Sequence, residues 1–348
     1  MTEYNGLTGL ANLGNTCFLN SCMQIFSHTP EINKFLDKNN GSYKEKLSIR
    51  FNKKYAHDCK LLLEWDELRK LMWKENCIIS PGKFLKTVQH IAKNKDKDIF
   101  TGYAQNDLPE FLLFIMDSFH NALRREVNME ISGDVDNKRD KLAYKCYEMM
   151  KKMYENEYSE IVKLYYGIHV SKIVDKKNND KTLSIRPEPY FMLDLSIPNN
   201  KKNVSLYDCF DEYCKIEILE KENAWLNEKT NKKEDVCKYI TFWNLPTILV
   251  IAIKRFDYRG KKIQSPVNLE INNLDLCKYV EGYNSDSYKY KLYGVCNHSG
   301  GTLGGHYTAN ILVKDKWFLF NDTNVSEIKF DGSNNTSGYC LFYRKIED

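Results

Sequence analysis

The sequence predicts an α+β fold. Helical periodicity dominates up to about Tyr165, strand-like segments dominate after Tyr166, and the two kinds do not alternate. The 348 residues suit one large domain or two modest ones.

Each element has a local reason. In Gly6–His28 a glycine-broken loop leads into a helix-like run. Phe18, Leu19, Cys22, Met23, Ile25 and Phe26 paint one broad face, and Asn15 is placed to cap it. Leu61–Trp73 and Phe84–Ala92 read as amphipathic helices. Asp107–Leu123 is the strongest, with Leu108, Phe111, Leu112, Ile115, Phe119 and Leu123 in phase. There Asp107 and Glu110 have capping-box spacing. Lys138–Tyr165, charged and rich in Met and Tyr, also reads as helical. Strands are predicted at Val170–Val174, Tyr190–Ile197, Tyr239–Phe242, Thr247–Phe256, Lys289–Cys296, His306–Val313 and Trp317–Asn321. Loops rich in Asn, Lys and Gly, such as Asn199–Asn203, separate them.

Composition narrows the function. Hydrophobic residues at 42% and aromatics at 13% support a core and exclude a disordered chain. With 51 basic and 47 acidic residues, the net charge of +4 gives no footprint for nucleic acid. The longest strongly apolar run, Ile248–Ile253, is too short to span a bilayer, so no membrane insertion is expected. The opening MTEYNGLTGL lacks the build of a signal peptide. The eleven cysteines are scattered, odd in number and without any Cys-x-x-Cys pair. Together these features read as a reducing, intracellular compartment, cytoplasmic or nuclear, with free thiols.

Two distant segments suggest chemistry. In NLGNTCFLNS, Cys17 falls in the first turn of a helix, where unpaired N–H groups and the dipole favour a thiolate. Asn12, five residues upstream, is placed to send its amide N–H toward an oxyanion. Alone, Cys17 would equally suit a small buried residue. The second segment ends in His306, preceded by Gly300, Gly301, Gly304 and Gly305. So little bulk suits a narrow slot for an extended, small-residue peptide. A hairpin after His306 returns Asn321 and Asp322 toward it. A two-residue turn at Asp315–Lys316 places Asn321 on the His306 face, and a three-residue turn favours Asp322. Either side chain can orient an imidazole.

Together these segments resemble the ubiquitin-specific protease family. GLANLGNTCFLNS is similar to its cysteine box and YKLYGVCNHSGGTLGGHYTA to its histidine box. FLFNDTNV resembles the strand of the third catalytic residue, YAQNDLPEFL the Gln-Gln-Asp box, and ILVIAIKRF a core strand. The matches run in family order from Gly6 to Arg344. The resemblance implies a papain-like cysteine protease fold with thumb, palm and β-sheet fingers. It implies one catalytic domain over 1–348, with a helical thumb at about 1–165, fingers at 166–245 and a palm at 246–348. It implies hydrolysis after the C-terminal Gly-Gly of ubiquitin, with ubiquitin and its conjugates as partners and no cofactor. Cys17 would be nucleophile, His306 base, Asn321 the third member, Asp322 an auxiliary and Asn12 the oxyanion donor. Gln105, Asp107, Glu110 and Phe256 would contact the substrate, as would His298, Gly304, Gly305 and Tyr307.

Three departures stand out. Zinc-binding cysteine pairs common in the family's fingers are replaced by Asp175–Asn178 and Leu226–Lys229, so no metal is expected. Asn106 and Pro109 alter the Gln-Gln-Asp box, and Asn321 stands where Asp is commoner. The same fold would also serve a ubiquitin-binding module without catalysis, or a protease for another ubiquitin-like modifier.

Overall fold

The computed structural model describes residues 4–38, 55–95, 99–100, 104–178, 181–199, 201–301 and 304–347. Tyr103, Asn200, Thr302 and Leu303, each within a segment discussed above, lie outside the described residues. Helix α1 (Cys17–Ser27) forms where its apolar residues predict it, but every one of its residues is buried, not one face. The donors on its polar side chains therefore find partners inside the protein, although the amide oxygens of Asn20 and Gln24 are left without one. Ser21 Oγ donates to the Cys17 carbonyl at 2.8 Å, and Gln24 Nε2 to the Thr8 carbonyl at 2.7 Å. The N-cap residue is Thr16 rather than Asn15. Asn15 instead takes a left-handed backbone (φ 54°), because the preceding loop folds around the Asn12 side chain.

Helices α2 (Pro30–Lys38), α3 (Ala56–Lys74), α4 (Gly82–Asn94) and α5 (Leu108–Leu123) follow. The helix expected over 138–165 is two helices, α6 (Lys138–Glu157) and α7 (Glu160–Tyr165). Ser159 divides them: its hydroxyl accepts the Val162 N–H at 3.2 Å and starts a new helix. Helices α2 and α8 (Leu206–Tyr213) were not expected, although Ser205 and Asp208 form a full capping box on α8.

The large sheet orders its strands as Asn324–Ile328, Lys316–Asn321, Gly304–Val313, Lys289–Gly301, Gly338–Lys345, Ile248–Lys254 and Met192–Ser196. In the Ile248–Lys254 strand, Ile248, Val250 and Ala252 face a core shared with α1, α3, α4 and α5. Leu249, Ile251 and Ile253 face a second core under α8. Burial on both faces explains why this strand reads as an unbroken apolar run. Each fully buried Leu, Ile or Phe side chain in these cores contributes about 1.5–3 kcal/mol. The strand expected at Tyr190–Ile197 is split. Met192–Ser196 belongs here, whereas Thr182–Tyr190 belongs to a separate four-stranded sheet with Gly167–Asp175, Val236–Asn244 and Glu217–Leu219. Helix α6 covers one face of that sheet, with Leu142 and Cys146 against Val170 and Trp243.

His28, just past α1, is buried between Trp73 and Phe320, with ring centroids 5.2 and 5.3 Å away. Its Nδ1 donates to the Gln24 carbonyl at 2.9 Å, and burial lowers its pKa from 6.5 to about 4. The folded state thus holds this ring neutral where the unfolded chain would protonate it. Its contribution is complete above about pH 6.5 and is lost as pH falls toward 4, a difference on the order of 3 kcal/mol. Urea unfolding across that range should show this loss in the wild type and a shallower one in His28→Gln.

Candidate active site

The strand bearing His306, Gly304–Val313, pairs with Lys316–Asn321 in a register that sets Val313 opposite Lys316. The turn is therefore the two residues Lys314–Asp315, one earlier than expected, with Lys314 left-handed (φ 57°). Moving both strand ends by one residue preserves facing, so His306 and Asn321 share a side. His306 Nε2 lies 2.7 Å from Asn321 Oδ1. The amide oxygen only accepts, so Nε2 carries the proton and the neutral ring keeps a basic Nδ1.

Asp322 does not reach the ring. It has a left-handed backbone (φ 50°) and turns its carboxylate toward α1. There Oδ1 accepts from Asn20 Nδ2 at 2.8 Å and Oδ2 from Asn12 Nδ2 at 3.0 Å. Its carbonyl takes the Leu10 N–H at 2.9 Å. A Cβ on Gly9 would lie 2.3 Å from the Thr323 carbonyl oxygen, so only glycine lets this segment lie flat on the turn.

Cys17 occupies the first residue of α1, as expected, but the residue is only 3% exposed. Burial raises its pKa, and the Asp322 charge raises it further. The N–H groups of Tyr307, Phe18 and Cys17 itself work the other way. The thiolate-favouring helix start is thus present and is outweighed by desolvation. Among the described residues no hydrogen bond joins Cys17 to His306. The Asn12 amide oxygen accepts from the N–H groups of Gly14 and Thr16, both at 3.1 Å. Its nitrogen, with one N–H on Asp322, has a second to offer.

The glycines before His306 differ in purpose. A Cβ on Gly305 would sit 2.3 Å from His298 Nε2 and 2.7 Å from the Ser299 carbonyl oxygen, whereas at Gly301 or Gly304 it would meet nothing within 4 Å. His298 is buried, and burial together with the nearby Lys262 charge lowers its pKa to about 4. Its ring packs against Tyr307 (4.7 Å), Phe256 (5.6 Å) and Tyr339 (5.8 Å). The Tyr339 hydroxyl donates to Asp107 Oδ2 at 2.7 Å, and Asp107 Oδ1 accepts the Glu110 N–H at 3.1 Å. Asp107, Phe256, His298, Gly305 and Tyr307 are therefore linked, through Tyr339, in one cluster. Gln105 instead reaches Asn15 Oδ1 at 3.3 Å, and Glu110 is exposed. The Asp107–Glu110 capping box is one-sided, its Asp107 half alone being present.

Sequence reasoning missed Asn20, Lys262 and Tyr339. Asn20 lay inside the quoted cysteine box, Lys262 Nζ donates to the His298 carbonyl at 2.5 Å, and Tyr339 sits on the unexpected strand Gly338–Lys345. Pro109 is accommodated in the first turn of α5, where its missing N–H costs nothing. Asn106 braces the preceding loop by donating to the Ala104 carbonyl at 3.0 Å.

The segments standing where the family's zinc pairs fall do not fit a metal. Asp175 Oδ1 accepts the Lys177 N–H at 2.8 Å, and Asn227 Oδ1 accepts the Lys229 N–H at 3.0 Å, closing two Asx turns without a thiol or imidazole. Among the described residues no cluster of three or more His, Cys, Asp or Glu side chains is placed to share an ion.

Comparison with known proteins agrees with this geometry. The profile of the family described as "Ubiquitin carboxyl-terminal hydrolase" matches residues 8–343. A Bos taurus protein named ubiquitin carboxyl-terminal hydrolase 2 is 32% identical over 97% of this chain and 55% of its own length. Ubiquitin carboxyl-terminal hydrolase Usp2 of Drosophila melanogaster is 32% identical over 98% of this chain and 35% of its own. The chain thus spans about half or less of these relatives. A solved SAGA Ubp8/Sgf11/Sus1/Sgf73 DUB module bound to ubiquitin aldehyde superposes on all of this chain and 71% of its own, with TM-score 0.73 and 23% identity, a likeness of fold.

The Asp322 charge disfavours the Cys17 thiolate, so Asp322→Asn should shift the pH profile of Cys17 alkylation by iodoacetamide toward lower pH. An unchanged profile would remove Asp322 from the electrostatics of the thiol.

Proposed function

Because the chain belongs to the ubiquitin carboxyl-terminal hydrolase family, we propose that it is a thiol-dependent deubiquitinase, cutting isopeptide, peptide or thioester bonds after the C-terminal glycine of ubiquitin. The observation that carries this reading is the His306–Asn321 pair at 2.7 Å on a strand packed against the helix that begins at Cys17. The whole of 1–348 is assigned as one catalytic domain, with a thumb to about 165, fingers over 166–245 and a palm over 246–348.

The residues divide the work. The substrate tail enters over the open Gly301 and Gly304 backbone toward Cys17. His306 Nδ1 takes the thiol proton, and Asn321 holds the ring in the tautomer that allows this. Sulfur attacks the scissile carbonyl. The developing oxyanion is met by backbone N–H groups at the start of α1 and by the remaining N–H of Asn12. His306 returns its proton to the leaving lysine amine, leaving a thioester on Cys17. Water, deprotonated by His306, then releases the ubiquitin carboxylate and restores the thiol. Asp107, held by Tyr339, presents a carboxylate beside the tail, and His298 and Tyr307 wall the slot. The substrate also completes the site, since Cys17 and His306 are not hydrogen-bonded without it.

All eleven cysteines are free, which supports action in the reducing cytoplasm or nucleus. Among the described residues no helix is long and apolar enough to cross a membrane.

Release of a fluorophore from the ubiquitin C-terminus tests the reading, with conjugates of other ubiquitin-like modifiers in parallel. Wild type should cleave the ubiquitin substrate and Cys17→Ala should not. Full turnover by Cys17→Ala would overturn the mechanism. Cleavage of another modifier alone would reassign the substrate, and binding without cleavage would leave a binding module. Asn321→Ala should lower kcat about 100-fold with little change in KM, because the imidazole loses its orientation and not the substrate its contacts.

A further inference from the structure

Helix α1 carries a buried amide one turn below the nucleophile. Asn20 is 2% exposed and lies three residues after Cys17. Its Nδ2 donates to Asp322 Oδ1 at 2.8 Å and approaches the carbonyls of Leu10 and Ala11, each at 3.3 Å. Those two carbonyls belong to the segment that enters the nucleophile loop, and Asp322 immediately follows Asn321. Asp322 in turn holds Asn12 Nδ2 at 3.0 Å, and Asn12 Oδ1 gathers the N–H groups of Gly14 and Thr16. The contacts close a ring: Cys17 helix, Asn20, Asp322, Asn12, and back to the residue before Cys17. One N–H of this buried amide serves Asp322 and the other is shared by the Leu10 and Ala11 carbonyls, so its nitrogen ties two chain segments together, while its Oδ1 has no hydrogen-bond partner.

We infer that Asn20 is a positioning residue for the reaction, fixing Asp322, and through it both Asn12 and the turn that carries Asn321, in register with Cys17. The role rests on the proposed hydrolase reading. It predicts that the Asn20 and Asp322 side chains act as one unit rather than as two separate contributions.

The test measures ubiquitin–fluorophore hydrolysis and the pH profile of Cys17 alkylation in wild type, Asn20→Ala, Asp322→Asn and the double variant. Asn20→Ser serves as the smaller cut if Asn20→Ala melts below the assay temperature. Asn20→Ala should lower kcat about 10- to 100-fold, with KM within about threefold of wild type. The double variant should be no slower than the slower single one. Alkylation in Asn20→Ala should move in the same direction as in Asp322→Asn, and the double should move no further. Multiplying rate losses, a loss confined to KM, or a folded Asn20 variant within twofold of wild-type kcat would overturn the inference. If the wild type cleaves no ubiquitin substrate, the hydrolase reading fails while the alkylation series still decides the positioning claim.

Discussion

Burial of helix α1 on every side is the constraint on which the rest depends. The helix lies between the helical layer and the large sheet, and residues from both close over it. A helix so enclosed cannot leave its polar side chains to water, so Asn20, Ser21, Gln24 and Ser27 all need partners in the protein. Ser21 and Ser27 turn back to carbonyls of the helix itself, whereas Asn20 and Gln24 reach the opening segment and, through Asn20, the turn after Asn321. The apolar core thus brings the nucleophile and the histidine strand together, and the polar contacts of the same helix decide their alignment.

The same enclosure explains the state of the thiol. Desolvation acts on a charge wherever it sits, and here it outweighs the favourable N–H groups at the helix start. Asp322 adds a negative charge on the wrong side for a thiolate, yet its two amide partners hold it in place. A protected thiol in the resting state suits a protein whose reactive group must wait for a specific tail. The site is arranged for the charge that develops during attack, not for the one at rest.

Much of this was legible in the sequence, for identifiable reasons. The α1 pattern and the Asp107 cap follow from periodicity and capping, rules local to a few residues, whereas strand alternation left Asn321 and Asp322 both open as the partner of His306 until the turn length was known. The unexpected elements lacked such signals. Strand Gly338–Lys345 is flanked by a polar turn and is recognisable only from its two neighbours in the sheet. Tyr190 and Met192 look continuous in sequence, yet they belong to different sheets. The thiol pKa was misjudged because a dipole is visible in a motif, whereas burial is a property of the whole fold. Asn20 was overlooked because its value lies in a partner 302 positions away.

The Asx turns at Asp175 and Asn227 have a consequence for biogenesis. Each is written within a window of three residues and needs nothing from outside the chain. A fingertip knit by thiolates must wait for an ion from the cellular pool before its hairpins are secured. Here the closing bond of each turn is supplied by a side chain two residues from its partner. The two turns lie in different sheets, and neither draws on a ligand from outside the chain for the hydrogen bond that closes it.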